Sequence, residues 1–339
     1  MHVVFRADAS ADIGFGHVAR CITLGAVLRG RGHAATVVTR SSESRVMARI
    51  ERAGMQVVAI PPDASMAVDR QRTFEVAGRD AVLIVDHYGW KPADHRAARE
   101  AGLKTVAIDD LGDRALDADV VLNQNAFAGP DLYAPTSHMR MLLGGRYALL
   151  RPEFLARRVE PRPVPATAAQ CLVTLGGGDA AAQTLDVLEG VAQSEHRGLQ
   201  VTAVVGPLSP DREALTAWAA RHEDRFRIVH DPECLADLMA ANDMAIAAAG
   251  TTCWELACLG VPQLTLVMAD NQQRNADELD RRGVSVHLGL WKDVEPSTIA
   301  TAVDSLVDDR ERRMAMSQAG QRLIDGRGAA RVAEVIETL

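Results

Sequence analysis

At 339 residues the chain exceeds what one hydrophobic core usually organises, so two domains of about 150 residues each are expected. An apolar fraction of 47% beside 24% charged residues fits a soluble globular protein, and only 4% aromatics with abundant alanine suits helices on sheets rather than an all-β fold. A net charge of −8, with no basic cluster, argues against nucleic acid or an anionic membrane as the main partner.

In the first half, short Val/Ile-rich runs alternate with helical patterns. Strands are expected at His2–Arg6, Ala35–Val38, Val57–Ile60, Ala81–Val85, Lys104–Ile108 and Val120–Leu122, and helices at Val18–Arg29, Ser44–Ala53, Asp69–Ala77 and Ala93–Ala101. Gly30, Gly32, Gly54 and Gly102 follow helix ends, and Pro92 suits a first helical position. Apolar strands without polar alternation imply a parallel sheet covered by helices on both faces.

Texture changes in Arg151–Ala169, where Pro152, Pro161, Pro163 and Pro165 sit among arginines, and this stretch reads as a linker. Alternation then restarts. Strands are expected at Cys171–Leu175, Gln200–Val205, Arg227–Val229, Met244–Ala248 and Gln263–Val267. Helices are expected at Ala180–Gln193, Asp211–Arg221, Cys234–Ala241, Cys253–Leu259 and Gln272–Arg282, with closing helices from Pro296. The expected fold class is α/β, with two Rossmann-like doubly wound domains facing across a cleft. The boundaries fall at 1–155 for the first domain, 156–169 for the linker, 170–320 for the second domain and 321–339 for a C-terminal helix that packs back on the first.

The five cysteines, Cys21, Cys171, Cys234, Cys253 and Cys258, are odd in number and scattered, which favours reduced thiols over disulfides or zinc. No signal pattern opens the chain and no apolar run approaches the ~20 residues of a membrane helix, so a cytoplasmic protein with no membrane partner is expected.

The motifs that could carry chemistry sit where strands end. Gly14-Phe15-Gly16-His17 joins the first strand to its helix. A lone G-x-G is weak, and the third glycine and downstream acid of a dinucleotide fingerprint are missing. By itself the turn could be incidental, but His17 is a side chain that exchanges protons near neutral pH. In the second half Gly250-Thr251-Thr252 follows a strand and starts a helix. It offers backbone N–H groups, hydroxyls and a helix dipole to a pyrophosphate, with Glu255 one turn on for a ribose. The same threonines could instead cap the helix, with Glu255 closing a capping box. Gly176-Gly177-Gly178 exceeds what a turn needs and suggests close approach to a ligand. Asp270-Asn271-Gln272 offers donors and acceptors after a buried strand, or a helix cap. Asp86-His87-Tyr88 holds the matching position in the first half, whereas Asp109-Asp110 reads as a turn with structural carboxylates.

These motifs together resemble the UDP-2,4-diacetamido-2,4,6-trideoxy-β-L-altropyranose hydrolases of pseudaminic acid biosynthesis. The resemblance lies in Arg6-x-Asp8-x-Ser10-x-x-Ile13-Gly14-x-Gly16-His17-x-x-Arg20, in Asp86-His87-Tyr88, in Gly250 through Pro262, and in Ala269-Asp270-Asn271-Gln272. The second half is also similar to the UDP-GlcNAc-binding half of the transferase that completes lipid II. The resemblance implies the glycosyltransferase B architecture, a reaction without metal or cofactor, and His17 as catalytic base. It further implies substrate contacts from Asp8, Ile13, Gly14, Gly16, Arg20, Tyr88, Asn271 and Gln272. UDP contacts would come from Gly176, Gly177, Gly178, Gly250, Thr251, Thr252 and Glu255. The expected reaction is inverting hydrolysis of the anomeric C–O bond of a UDP-sugar, and a monomer is the default expectation for a chain whose sequence leaves the oligomeric state open. A glycosyltransferase sharing the same UDP site, or a related nucleotide-sugar hydrolase of another nonulosonic acid pathway, is the first rival, a non-catalytic nucleotide-sugar binder the second, and a dinucleotide oxidoreductase fares worst.

Overall fold

The computed structural model describes every residue except 11–13, 42, 135, 177–180, 207–211, 223 and 233, and every side chain except those and 181 and 182. The expectations for Ile13, Gly177 and Gly178 lie outside the described residues. The chain forms two compact units, Met1–Arg151 with Gly326–Leu339, and Pro152–Asp325.

In the first unit, strands β1 (His2–Ala7), β2 (Ala34–Thr39), β3 (Gln56–Ala59), β4 (Val82–Asp86), β5 (Lys104–Ile108), β6 (Val120–Asn123) and β7 (Arg140–Leu143) make one parallel sheet, ordered β3-β2-β1-β4-β5-β6-β7. Helices α1 (Gly16–Gly30), α2 (Ser44–Arg52), α3 (Met66–Ala77) and α4 (Pro92–Glu100) fill the crossovers. Adjacent residues of β1 serve opposite cores. Val3 and Phe5 pack with Leu24 and Leu28 of α1, whereas Val4 packs with Ile60, Leu83 and Trp90. That two-sided burial is why the strand reads as an unbroken apolar run. Strand order reverses between β1 and β4, the place where open α/β sheets leave a crevice beyond their carboxyl ends.

The second unit opens with α5 (Pro152–Arg157), followed by β8 (Gln170–Thr174), α6 (Ala181–Ala192), β9 (Gln200–Val205), α7 (Arg212–Ala220), β10 (Phe226–His230) and α8 (Leu235–Ala240). It continues through β11 (Met244–Ala248), α9 (Thr252–Leu259), β12 (Gln263–Val267), α10 (Gln273–Arg281), β13 (Ser285–Leu290), α11 (Pro296–Asp308) and α12 (Arg310–Leu323). Its parallel sheet runs β10-β9-β8-β11-β12-β13, so β8 and β11 flank the reversal. The last helix, α13 (Gly328–Ile336), belongs to the first unit and packs its Val332 and Ile336 into the core shared with α1.

Two of the four edge strands, β7 and β13, are additions to the elements expected from sequence. Arg140-Met141-Leu142-Leu143 is short, and Ser285–Leu290 has His287 and Gly289 breaking its apolar pattern beside a register shift against β12. The proline-rich segment also differs from a free linker. Arg158 donates to the carbonyls of Cys258, Gln321 and Ile324, and Arg162 to those of Ala240, Asn242 and Leu259. These carbonyls lie at the C-terminal ends of α8, α9 and α12, where orphan acceptors and the negative end of the dipole favour a guanidinium. The segment is strapped to the second unit. The first unit ends at Arg151 instead of residue 155 because α5 packs against α8 and α9.

Candidate active site

In the first unit, the register aligns Ala7 of β1 with Asp86 of β4, and Val85 with Ala107 of β5, so three adjacent strands deliver their following loops to one edge. After β1, the chain folds back with Gly14 N–H donating to Ser10 O at 2.9 Å, and Gly14 takes φ +70°, a conformation that glycine adopts without penalty. Helix α1 then starts at Gly16 with no side-chain cap from Phe15, which places His17 in its first turn.

His17 is buried, and its Nδ1 lies 2.6 Å from Asp86 Oδ1. Burial alone would raise the Asp86 carboxyl, but the Arg20 guanidinium and the hydrogen bond from His17 hold it well below the usual carboxylate range. An ionised carboxylate only accepts, so His17 Nδ1 is the donor, and in the neutral ring this tautomer puts the lone pair on Nε2. Arg20 binds Asp86 through Nε at 2.5 Å and Nη2 at 2.6 Å, and reaches Asp110 through Nη1 at 2.6 Å. Tyr88 sets its ring edge-on to His17, with centroids 4.9 Å apart, and donates its hydroxyl to Asp110 at 3.0 Å. Burial, then the Asp110 charge and hydrogen bond, push the Tyr88 phenol above the ordinary tyrosine range. Its hydroxyl is thus an engaged donor.

Asp8 belongs to a neighbouring network. The fully buried Arg6 pairs with Asp8 through Nη1 at 2.6 Å and Nη2 at 2.8 Å, and with Asp69 of α3 through Nε at 2.7 Å and Nη2 at 2.6 Å. Gly89 N–H donates to His87 Nδ1, so His87 carries its proton on Nε2 and points it at Asp8 Oδ2, 3.1 Å away. Burial opposes ionisation of Asp8, but these bonds from His87 and Arg6 hold it well below its ordinary range. Asp8 therefore fixes the loop after β1 and does not touch His17 in any hydrogen bond described.

In the second unit, β11 lies between β8 and β12, so Gly176, Gly250 and the turn after Met268 share one sheet edge. Gly176 takes φ +103°, which side chains rarely adopt. Thr251 precedes α9 with helical dihedrals and makes no side-chain cap bond, so the capping-box alternative is not what the threonines do. Asn275 Nδ2 donates to Ala249 O at 3.0 Å and ties α10 to this loop. Gln272 folds its Oε1 onto Met268 N–H at 3.0 Å, with its Nε2 beside Gly250. Asn271 is exposed on the same one-turn 3-10 helix, Asp270–Gln272, whose leading residue Ala269 supplies no cap. Glu255 is half-buried in the first turn of α9.

The structure thus gathers His17, Arg20 and Tyr88 in the first unit, and Gly250, Thr251, Thr252, Glu255, Asn271 and Gln272 in the second. The hold of Asp86 on the histidine is additional to what the sequence alone indicates, and Asp110, which reads there as a structural carboxylate, joins the same cluster through Arg20 and Tyr88. Their signal was present only as acidic residues at strand ends. Among the described residues, no group of three or more His, Cys, Asp or Glu is arranged to hold a metal ion, and no helix is long and apolar enough to cross a membrane.

With this geometry in hand, the chain can be set beside known proteins. It superposes on the crystal structure of Acinetobacter baumannii MurG with a TM-score of 0.73 at 16% identity, covering 100% of this chain and 99% of that one. The glycosyltransferase family 28 C-terminal domain matches residues 171–334. This is a glycosyltransferase B-fold protein. Across its length the glycosyltransferase B-fold chain is similar to the spore coat polysaccharide biosynthesis protein SpsG of Bacillus subtilis (26% identical, covering 100% of this chain and 98% of that one). It is also similar to the UDP-2,4-diacetamido-2,4,6-trideoxy-β-L-altropyranose hydrolase of Campylobacter jejuni, at 24% identity over 84% of this chain and 98% of that one. The resemblance seen in the motifs therefore extends over most of the sequence. Together the matches support an enzyme that processes nucleotide sugars.

Proposed function

We propose that this protein hydrolyses a UDP-diacetamido-trideoxy sugar of the altropyranose type, breaking the anomeric C–O bond with inversion to release UDP and the free sugar for nonulosonic acid biosynthesis. The observation that carries this reading is the His17–Asp86 pair, a buried histidine whose Nδ1 is held by an ionised carboxylate. His17 Nε2 takes a proton from water as that water attacks C1. General base catalysis of this kind supplies roughly 10²–10⁴-fold. Asp86 keeps the tautomer and stabilises the imidazolium that forms. The leaving UDP is met by backbone N–H groups and hydroxyls of Gly250–Thr252 at the start of α9, with Gly176 as a further close approach and Glu255 on the ribose. Asn271, Gln272 and Tyr88 contact the sugar, Gly14 and Gly16 shape the turn that mounts the base, and Asp8 and Arg20 brace it. The reading needs no metal, so turnover should persist in chelator.

Supporting the reaction is the similarity to the Campylobacter jejuni hydrolase, which covers nearly all of that protein. The family 28 match over residues 171–334 favours a second reading, a transferase that passes the sugar to a hydroxyl acceptor. Incubation of the purified protein with the UDP-sugar and no acceptor separates the two. The hydrolase reading predicts stoichiometric UDP and free sugar, and a loss of at least about 100-fold in His17→Asn. UDP release only after adding an acceptor would favour the transferase.

A further inference from the structure

Asp110 makes no hydrogen bond to His17, yet it holds both residues that brace the ring away from Asp86. Its carboxylate accepts from Arg20 Nη1 at 2.6 Å and Nη2 at 3.0 Å, and from the Tyr88 hydroxyl at 3.0 Å. Arg20 Nη2 donates to Asp86 Oδ1, the oxygen that also accepts from His17 Nδ1, and the Tyr88 ring stands at 89° to the imidazole. The loop bearing Asp110 is itself fixed. Asn125 Nδ2 donates to the Asp110 carbonyl at 2.8 Å, while the adjacent Asp109 accepts from Gly112 N–H at 2.8 Å and the Tyr133 hydroxyl at 2.7 Å.

We propose that Asp110 is a positioning residue for His17, anchoring Arg20 on one side and Tyr88 on the other so that the imidazole keeps a single orientation on Asp86. This rests on His17 being the base of the hydrolysis above. Charge balance gives Asp110 a second part in the same step. One guanidinium faces two carboxylates, Asp86 and Asp110, which leaves one negative charge to meet the imidazolium formed when His17 accepts the proton of water. With Asp110 neutral, Arg20 would turn wholly to Asp86 and that surplus would vanish.

The test uses Asp110→Asn, which preserves size, and Asp110→Glu, which preserves charge. Misplacing a catalytic group by about 1 Å can cost 10²-fold, so Asp110→Asn should lower kcat by roughly 10- to 100-fold with KM nearly constant. Asp110→Glu should recover part of that loss. A second readout needs no substrate. The chain has three tyrosines, and the charged or titratable groups facing Tyr88 are Asp110, Arg20, Asp86, His17 and Arg114. In Asp110→Asn, Tyr88 should ionise at lower pH by near-ultraviolet absorbance, and adding Tyr88→Phe should remove that component, leaving only the smaller change at Tyr133, which also feels the Asp110 charge. Unchanged kcat in Asp110→Asn, or kcat and KM moving together, overturns the proposal. Should the parent hydrolyse no UDP-sugar, the hydrolase reading fails by itself. The tyrosine titration then still decides whether Asp110 anchors Tyr88: a shift that Tyr88→Phe removes supports it, and no such shift overturns it. If Asp110→Asn does not fold, Asp110→Ser carries the same expectations.

Discussion

At the scale of single residues, the decisive feature is a carboxylate kept charged in a buried place. Asp86 tolerates burial because Arg20 and His17 together supply three contacts of 2.6 Å or less. Asp86→Asn would keep the shape but present an amide to His17 Nδ1, leaving the tautomer and the imidazolium unsupported. A fall in kcat of about 10²–10⁴-fold with an unchanged far-ultraviolet spectrum is expected from steady-state kinetics. The Arg6–Asp69 pair is the structural counterpart, since both side chains are fully buried at 2.6 Å. Asp69→Asn leaves a buried guanidinium short of charge and should cost about 3–5 kcal/mol, read as a lower midpoint in urea unfolding. Little of this was legible beforehand. His17 stood out because glycines flank it at a helix start. Asp86 and Asp110 lie 69 and 90 residues from their partners on α1, and only the parallel crossovers of the sheet bring them together.

Secondary elements explain which parts of the sequence could be read. Central strands such as β1, β4 and β11 are buried on both faces and show as Val, Ile and Ala runs, so their positions were plain. The edge strands β7 and β13 have one partner each and a mixed composition, which hid them. Arginines 158 and 162 looked like linker polarity, whereas they serve helix carbonyls that no local pattern announces. The loop before α9 gives a prediction at this scale. A Cβ at Gly250 would meet only Gln272 Nε2, at an ordinary 3.6 Å, and its φ is not positive, so Gly250→Ala should melt within a degree or two of the parent. If the loop receives the pyrophosphate, the added methyl should weaken UDP binding by about tenfold or more in calorimetry. Undiminished affinity would place the phosphates elsewhere.

For the whole molecule, two units of the same α/β design, one with His17 at a sheet edge and one with its glycine–threonine loop at the equivalent edge, account for the glycosyltransferase B likeness. Stability of the first unit should also depend on pH through His95 of α4. This ring is buried against Trp90, its Nδ1 has no hydrogen-bond partner among the described residues, and burial pushes its pKa down to about 4. The folded chain keeps it neutral, while the unfolded chain protonates it below about pH 6.5. The stabilisation is therefore present above that pH and is lost as pH falls toward 4, by about 3 kcal/mol in all. Urea unfolding at pH 7 and pH 5 should show a smaller difference in His95→Leu than in the parent.

The central claim is that His17 directs water to the anomeric carbon of a UDP-sugar. Time-resolved proton NMR of the protein with the UDP-diacetamido-altropyranose, without acceptor, tests it most directly. The account predicts release of UDP together with free sugar whose first observed anomer is opposite to that of the substrate, and neither product at a comparable rate from His17→Asn. A first anomer of retained configuration, or parent-like release by the His17→Asn protein, would contradict it.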